Sequence, residues 1–262
     1  MTSRKPSREL SIGEIFSETF SLYSENFTNY VIPFLVAGAI TGLLTTVLRL
    51  WIIVPARLAQ GSTPQQILNW LPGYLATVIV LAIGTGLVSW VVGSMAQGIC
   101  IKFASDTLEK GEASLQESFN FAASKILSIL AVSIITGVLI FLGLIALIIP
   151  GIILALMFSL VVQTIIIENT SALESLGRSR RLVSNRWLKT FALLLVLYII
   201  VGIVSAIASV IGIPFGLGSS LVSSLITALI QPILPIGLTL YYYSMIARTT
   251  PQTPTQTQSQ RT

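Results

Sequence analysis

Histidine is absent from all 262 residues, and cysteine occurs once, as Cys100. Without histidine there is no imidazole for a metal site, a general base or a Ser–His–Asp arrangement. One thiol can neither close an internal disulfide nor share a metal with a second. Charge is also scarce: 10% of residues, against about 25% in an ordinary soluble domain. Hydrophobic residues make up 53%, and mean hydropathy is +0.87. So few charges cannot cover a soluble surface of this size, so most of the chain must face lipid. The composition excludes a soluble enzyme and a nucleic-acid-binding domain, in spite of a net charge of +5. No catalytic residues, cofactor site or metal site is expected.

What the chain does have is long charge-free runs. Residues 26–48, 58–101, 126–167 and 190–247 contain no Asp, Glu, Lys or Arg. A helical crossing takes about 20 residues. The first run predicts one crossing at 31–54. The second is longer than one helix needs, and its start, Leu58–Gly73, is polar with two prolines and reads as a loop. Its crossing is then 74–101. The third run fits two crossings, broken at Pro150-Gly151, and the fourth fits two, broken over Pro214–Ser220. The expected crossings are therefore 31–54, 74–101, 126–149, 151–167, 188–213 and 220–247.

The distribution of basic residues sets the orientation. With both termini cytoplasmic, 13 of the 15 basic residues lie inside, leaving Arg49 and Arg57 outside. No N-terminal signal peptide is expected, because the first apolar run starts late and lacks a small-residue cleavage site. The expected location is the cell membrane, as a multi-pass protein.

Three Ser-x-x-Glu boxes suggest an internal repeat: Ser11–Glu14, Ser114–Glu117 and Ser171–Glu174. In such a box, Ser and Glu satisfy each other's free N–H groups at a helix start. The first and third copies align without gaps, Leu22 with Leu182 and Phe27 with Trp187. In the first, Ile12, Ile15, Phe16, Thr19, Tyr23 and Phe27 share one face, as in a helix lying at the membrane surface. The expected fold is an all-α membrane protein. Its six transmembrane helices form three parallel repeats, each an interfacial amphipathic helix plus a transmembrane hairpin. The repeats run about 11–101, 114–167 and 171–248 within a transmembrane domain 11–248. A disordered N-terminus, 1–10, and a disordered Thr/Gln/Pro-rich tail, 249–262, flank it.

The densest charge cluster is Arg178, Arg180 and Arg181, continued by Arg186 and Lys189. It reads either as an inside anchor that sets topology or as a contact for anionic lipid headgroups. Arg180 falls on the apolar arc of its helix, where it must snorkel, bind phosphate or find Glu168. Within the crossings the polar candidates are Gln97, Gln163 and Gln231, most simply read as interhelical hydrogen bonds. Gly38-x-x-x-Gly42 and Ser89-x-x-x-Gly93 are small-residue packing patterns. Pro232 and Pro235 predict a kink beside Gln231. Trp187 and Tyr241-Tyr242-Tyr243 read as an inner aromatic belt, and Arg49 and Arg57 as outer snorkelling groups.

The run Glu168-x5-Glu174-Ser175-Leu176-x-Arg178-Ser179-x-Arg181-Leu182-Val183-x-x-Arg186-Trp187 resembles the prokaryotic membrane-domain family named after glycerophosphoryl diester phosphodiesterase. Pro150-Gly151 and the terminal Leu240–Tyr243 belong to the same pattern. Ser175, Gly177 and Ser244 depart from it. The resemblance implies a stand-alone membrane module without the catalytic domain that some relatives carry, and only hints at lipids or their headgroups.

Three functions are compatible with these features. A non-enzymatic scaffold or lipid-interacting module comes first. A transporter or channel-like carrier for a lipid or small amphiphile comes second, without an intramembrane charge to support it. A membrane-embedded lipid enzyme comes last, for want of His and paired buried carboxylates. The expected partners are membrane lipids with anionic headgroups, together with a protein partner or a second copy, and no nucleic acid.

Overall fold

The computed structural model describes residues 4–58 and 63–249, and for 53–58 the backbone alone. It contains helices and no strand among the described residues: α1 (Ile12–Glu25), α2 (Phe27–Leu58), α3 (Pro64–Lys110), α4 (Leu115–Ala146), α5 (Ile148–Met157), α6 (Val161–Ile167), α7 (Ala172–Val183), α8 (Trp187–Gly212), α9 (Ser219–Ile230) and α10 (Ile233–Thr249). A 3-10 turn, Ile213–Gly218, joins α8 to α9, with Gly216 at φ 56°. Five stretches are long and apolar enough to cross a membrane: Phe27–Ile52, Pro64–Lys110, Leu115–Ala146, Ile148–Ile167 and Trp187–Thr249. The last folds back at the 3-10 turn, so that α8 packs on α9.

The capping boxes explain where the short helices begin. Ser11 and Ser171 each accept a hydrogen bond from the backbone N–H of the Glu three residues on, whose carboxylate accepts one from the backbone N–H of the cap residue. Ser114 accepts from Glu117 N, but there the helix does not stop: α4 runs unbroken from Leu115 to Ala146. The second unit therefore lacks the separate surface helix expected for it.

Several boundaries differ from the expected ones. The loop expected over Leu58–Gly73 is helix from Pro64 onward. Thr63 caps it and exchanges hydrogen bonds with Gln66, while Pro64 fills the first helical position, where its missing N–H is harmless. At about 1.5 Å per residue the 47 residues of α3 span about 70 Å, far beyond a ~30 Å hydrocarbon core. The break expected at Pro150-Gly151 falls at Leu147, which is extended at φ −166°, ψ 147°. Pro150 is the third residue of α5, still inside the first turn, where no intrahelical N–H bond is lost. Gly151 then lies against Gly143 with no room for a Cβ, which closes the α4–α5 hairpin. The crossing expected at 151–167 is broken again, over Phe158–Leu160, into α5 and α6. The break expected at Pro214–Ser220 and the kink beside Gln231 are both present, the latter between α9 and α10.

Packing is densest at one end of the bundle, termed here the charged end because its ion pairs collect there. At that end α10 is the central helix, enclosed by α1, α3, α6, α7 and α8. From Ile233 to Met245 nearly every residue of α10 is buried. The Gly38–Gly42 pattern is used: a Cβ on Gly38 would meet Ser224 O at 2.9 Å, and one on Gly42 would meet the Leu221 Cα at 2.7 Å, so α2 seats closely on α9. The Ser89–Gly93 pattern is not used in this way, since Gly93 has open space beside it.

Candidate functional site

Three successive residues near the end of α10 point in three directions, because each step around a helix turns about 100°. All three are tyrosines, and all are buried. They are not the membrane-surface belt that their position suggested; Trp187 alone keeps that exposed placement. Tyr241 donates to Thr190 Oγ1 on α8 at 2.6 Å, since the Thr190 hydroxyl hydrogen is spent on Arg186 O. Tyr242 donates to Glu168 Oε1 at 2.6 Å, just past α6. Tyr243 donates to Glu109 Oε1 on α3 at 2.8 Å, so the Ser105 hydroxyl, 2.7 Å away, donates to the Tyr243 oxygen. Next in sequence, the Ser244 hydroxyl accepts the backbone N–H of Leu10 at 2.8 Å.

The carboxylates of this hub are paired in turn. Arg178 on α7 holds Glu168 through Nε, at 2.8 and 2.9 Å, and through its terminal nitrogen at 2.7 Å. The Glu168 carboxylate raises the Arg178 pKa further above its ordinary value. Lys5 pairs with Glu109 at 2.6 Å and lies 5.3 Å from the Tyr243 ring centre. A pocket of about 470 Å³ opens here, lined by Lys5, Glu109, Glu168, Tyr242 and Tyr243 among others.

Residues 4–10, where disorder was expected, are an ordered strap across this end. Arg4 donates its backbone N–H to Leu108 O at 2.9 Å and pairs with Glu25 at 2.5 Å. Arg8 pairs with Glu14. Glu9 receives Arg186 at 2.9 Å and Lys189 at 2.6 Å. Hydrogen bonding from Arg186 and then Lys189 outweighs partial burial and lowers the Glu9 carboxyl from 4.5 to about 2. Charge pairing orders this polar segment, whose Leu10 packs against the core. Residues 1–3 and the tail from 250 lie outside the described residues.

The four candidate arginines divide into two pairs. Arg178 and Arg186 are held by Glu168 and Glu9. Arg180 and Arg181 are exposed and have no ion pair among the described residues. Of the three fates expected for Arg180, pairing with Glu168 is not the one found: Glu168 is held by Arg178. The face of α7 that is buried carries Ser175, Ser179 and Leu182, which leaves Arg180 and the exposed Leu173 on the outer side. The glutamines also separate. Gln163 is buried with neither amide atom hydrogen-bonded, Gln97 is half-buried, and Gln231 is exposed at the α9–α10 break. The structure brings none of the three into an interhelical hydrogen bond among the described residues. Arg49 does more than snorkel, since it donates to Ser219 Oγ at 2.6 Å. The Arg57 side chain lies outside the described residues.

Sequence reasoning missed Glu109, Ser105, Thr190 and the strap. Their signal was faint: a carboxylate just beyond a charge-free run and a lysine beside a proline are common. Among the described residues no group of three or more His, Cys, Asp or Glu is placed to hold a metal ion.

No curated protein and no solved structure matches this chain. A family model does match, over residues 14–244, from the first turn of α1 to the serine that follows the tyrosine hub. By that match, which covers both the hub and the Glu168–Arg178 pair, the chain belongs to the family described as Domain of unknown function (DUF7847).

Proposed function

We propose that this chain is a non-enzymatic, six-span protein of the cell membrane. Both termini are cytoplasmic, and the charged end is a rigid platform that contacts anionic lipid headgroups. The observation that carries the reading is the division of the arginines. Two are held by carboxylates, and Arg180 and Arg181 remain on the outer side of α7 with no carboxylate partner among the described residues. Exposed Leu173, Trp187 and Leu188 flank them. Cations set among exposed apolar side chains suit the boundary between headgroups and hydrocarbon. A depression of about 510 Å³ runs along Ser184–Lys189, which follows α7 in the chain.

The threefold repeat belongs to this proposal. Support comes from equivalent burial: Ile15, Thr19 and Leu22 of α1 are buried, as are Ser175, Ser179 and Leu182 of α7, each pair 160 residues apart. Support also comes from neighbours. The segment after each cap packs on the last helix of another unit: α1 on α10, α4 on α3, α7 on α6. The resemblance to the glycerophosphoryl diester phosphodiesterase membrane domain is likewise a proposal. Its residues Glu168, Arg178 and Tyr242 form one hydrogen-bonded group.

The test is lipid analysis of the protein extracted in native nanodiscs. Arg180→Gln with Arg181→Gln should lower the ratio of anionic to zwitterionic bound lipid. Each exposed basic residue near an anionic leaflet contributes about 1 kcal/mol. An unchanged ratio in a correctly inserted variant would leave only a topology anchor. Orientation is tested by single-cysteine labelling at Ser3, Ser62 and Thr255, which lie outside the described residues. Only Ser62 should react from outside.

A carrier is the second reading. The buried, unpartnered Gln163 and the broken α5–α6 span favour it, because interrupted spans with free polar groups line transport sites elsewhere. Flux of a lipid analogue that is lost in Gln163→Leu would decide for it.

A further inference from the structure

Helix α3 packs against both α2 and α4. The close seat at Gly38 and Gly42 draws α2 toward α9. On the other side, Ala122 and Ile129 rest on Gly98 and hold α4 to α3. Between them lies a groove of about 370 Å³. Its floor is Ala96 and Ile99 of α3, both buried; its rims are Val36 of α2, Val91 of α3 and Phe119 of α4, all exposed. No charged or hydrogen-bonding side chain lines it.

We propose that this groove holds one acyl chain of a phospholipid from the leaflet at the charged end. The inference rests on the membrane-spanning placement of α2, α3 and α4 proposed above, and not on the arginine contact. Two observations choose the occupant. The lining belongs to three of the stretches apolar enough to cross a membrane, so the medium that reaches it is hydrocarbon. Along α3 the groove runs from Ile99, three residues short of Lys102, to Val91. Eight residues rise about 12 Å, nearly half of a ~30 Å core. It begins near headgroup level and runs toward the midplane, as one lipid tail does. A chain lying there covers apolar surface on three helices at once, where a tail on a single convex helix covers one.

The test uses a phosphatidylcholine with a diazirine on its second acyl chain, in vesicles that also contain phosphatidylglycerol. After illumination, labelled peptides are mapped. The reference is the exposed side chains Phe191, Leu195, Val196, Tyr198 and Ile199 of α8, none of which lines the groove. Labelling at Val36, Val91 and Phe119 should exceed it several-fold. Val36→Trp with Val91→Trp fills the groove from exposed rim positions that the fold can enlarge. It should bring Phe119 labelling down to the reference level and leave α8 unchanged. Equal labelling of groove and reference, or Phe119 labelling that survives filling, would overturn the proposal. So would a Val36→Cys variant that forms a disulfide-linked dimer, which would make the groove an interface between copies; native Cys100 is buried and does not compete. Arg180→Gln with Arg181→Gln should leave groove labelling as it is, so the two proposals can fail separately.

Discussion

Ser179 of α7 bonds twice to the backbone around Leu160, the residue that ends the break between α5 and α6. Its hydroxyl donates to Met157 O at 2.7 Å and accepts from Leu160 N at 3.2 Å. A side chain from a separate helix thus supplies what the interrupted ladder lacks. Without it a carbonyl and an N–H would be left unpaired in a buried setting.

Ser179→Ala should therefore cost about 1–3 kcal/mol, the range for leaving buried polar groups without partners. Ser184→Ala, at an exposed site nearby, should fall within about 0.5 kcal/mol of the parent. Reversible unfolding in mixed micelles measures both. Equal stability of the two variants would remove the bridging role.

The arginines of α7 should behave unequally. Arg178→Gln leaves Glu168 and the Tyr242 hydroxyl without their cation, and should destabilise by about 1–3 kcal/mol. Arg180→Gln and Arg181→Gln should each stay within about 0.5 kcal/mol. The same unfolding measurement separates them, and it is independent of any lipid effect.

Two glycines give a matched pair. Gly42→Val forces a side chain against the α9 backbone and should cost about 1–3 kcal/mol by overpacking. Gly93→Ala enters open space and should be neutral or slightly stabilising, as helix propensity favours Ala. A costly Gly93→Ala together with a silent Gly42→Val would reverse the packing described for α2.

The strap should loosen in acid. The Glu9 carboxyl is depressed from 4.5 to about 2, so its contribution is full above 4.5 and is lost as pH falls toward 2. Glu14, held by Arg8, and Glu25, held by Arg4, are shifted in the same direction and act with it. Pulsed hydrogen exchange at residues 4–10 should report lost protection across that window. Glu9→Gln should lose part of the protection already at neutral pH and show a shallower acid transition. Protection in the parent that is flat down to pH 2 would contradict the pairing.

Much of the fold could be read in the chain, and the exceptions share a cause. Ser11, Ser171, the Pro214–Ser220 turn and the Gln231–Pro232 break act locally, through caps and missing donors, so local pattern revealed them. Thr63-Pro64-x-Gln66 is a cap of the same kind, hidden because its polar surroundings resemble a loop. The break at Phe158–Leu160 has only a faint local signal, the Ser159 hydroxyl turned back on Leu156 O, because the bonds that bridge it come from Ser179 some twenty residues on. The tyrosines were misplaced because a membrane-surface belt and a buried hub use the same residue type. What separates the two is partners on α3, α6 and α8, which no window along the sequence contains. Arg178 and Arg180 differ by two positions, and only packing decides which one meets Glu168.

The seat of α1 on α10 has a consequence for biosynthesis. Helix α1 buries Ile15 and Leu22 against α10, which is synthesised after it. Through more than two hundred residues of synthesis that apolar face has no final partner. It must wait at the membrane surface until α10 arrives, and a chain cut short before α10 would present the uncovered face to the quality-control machinery.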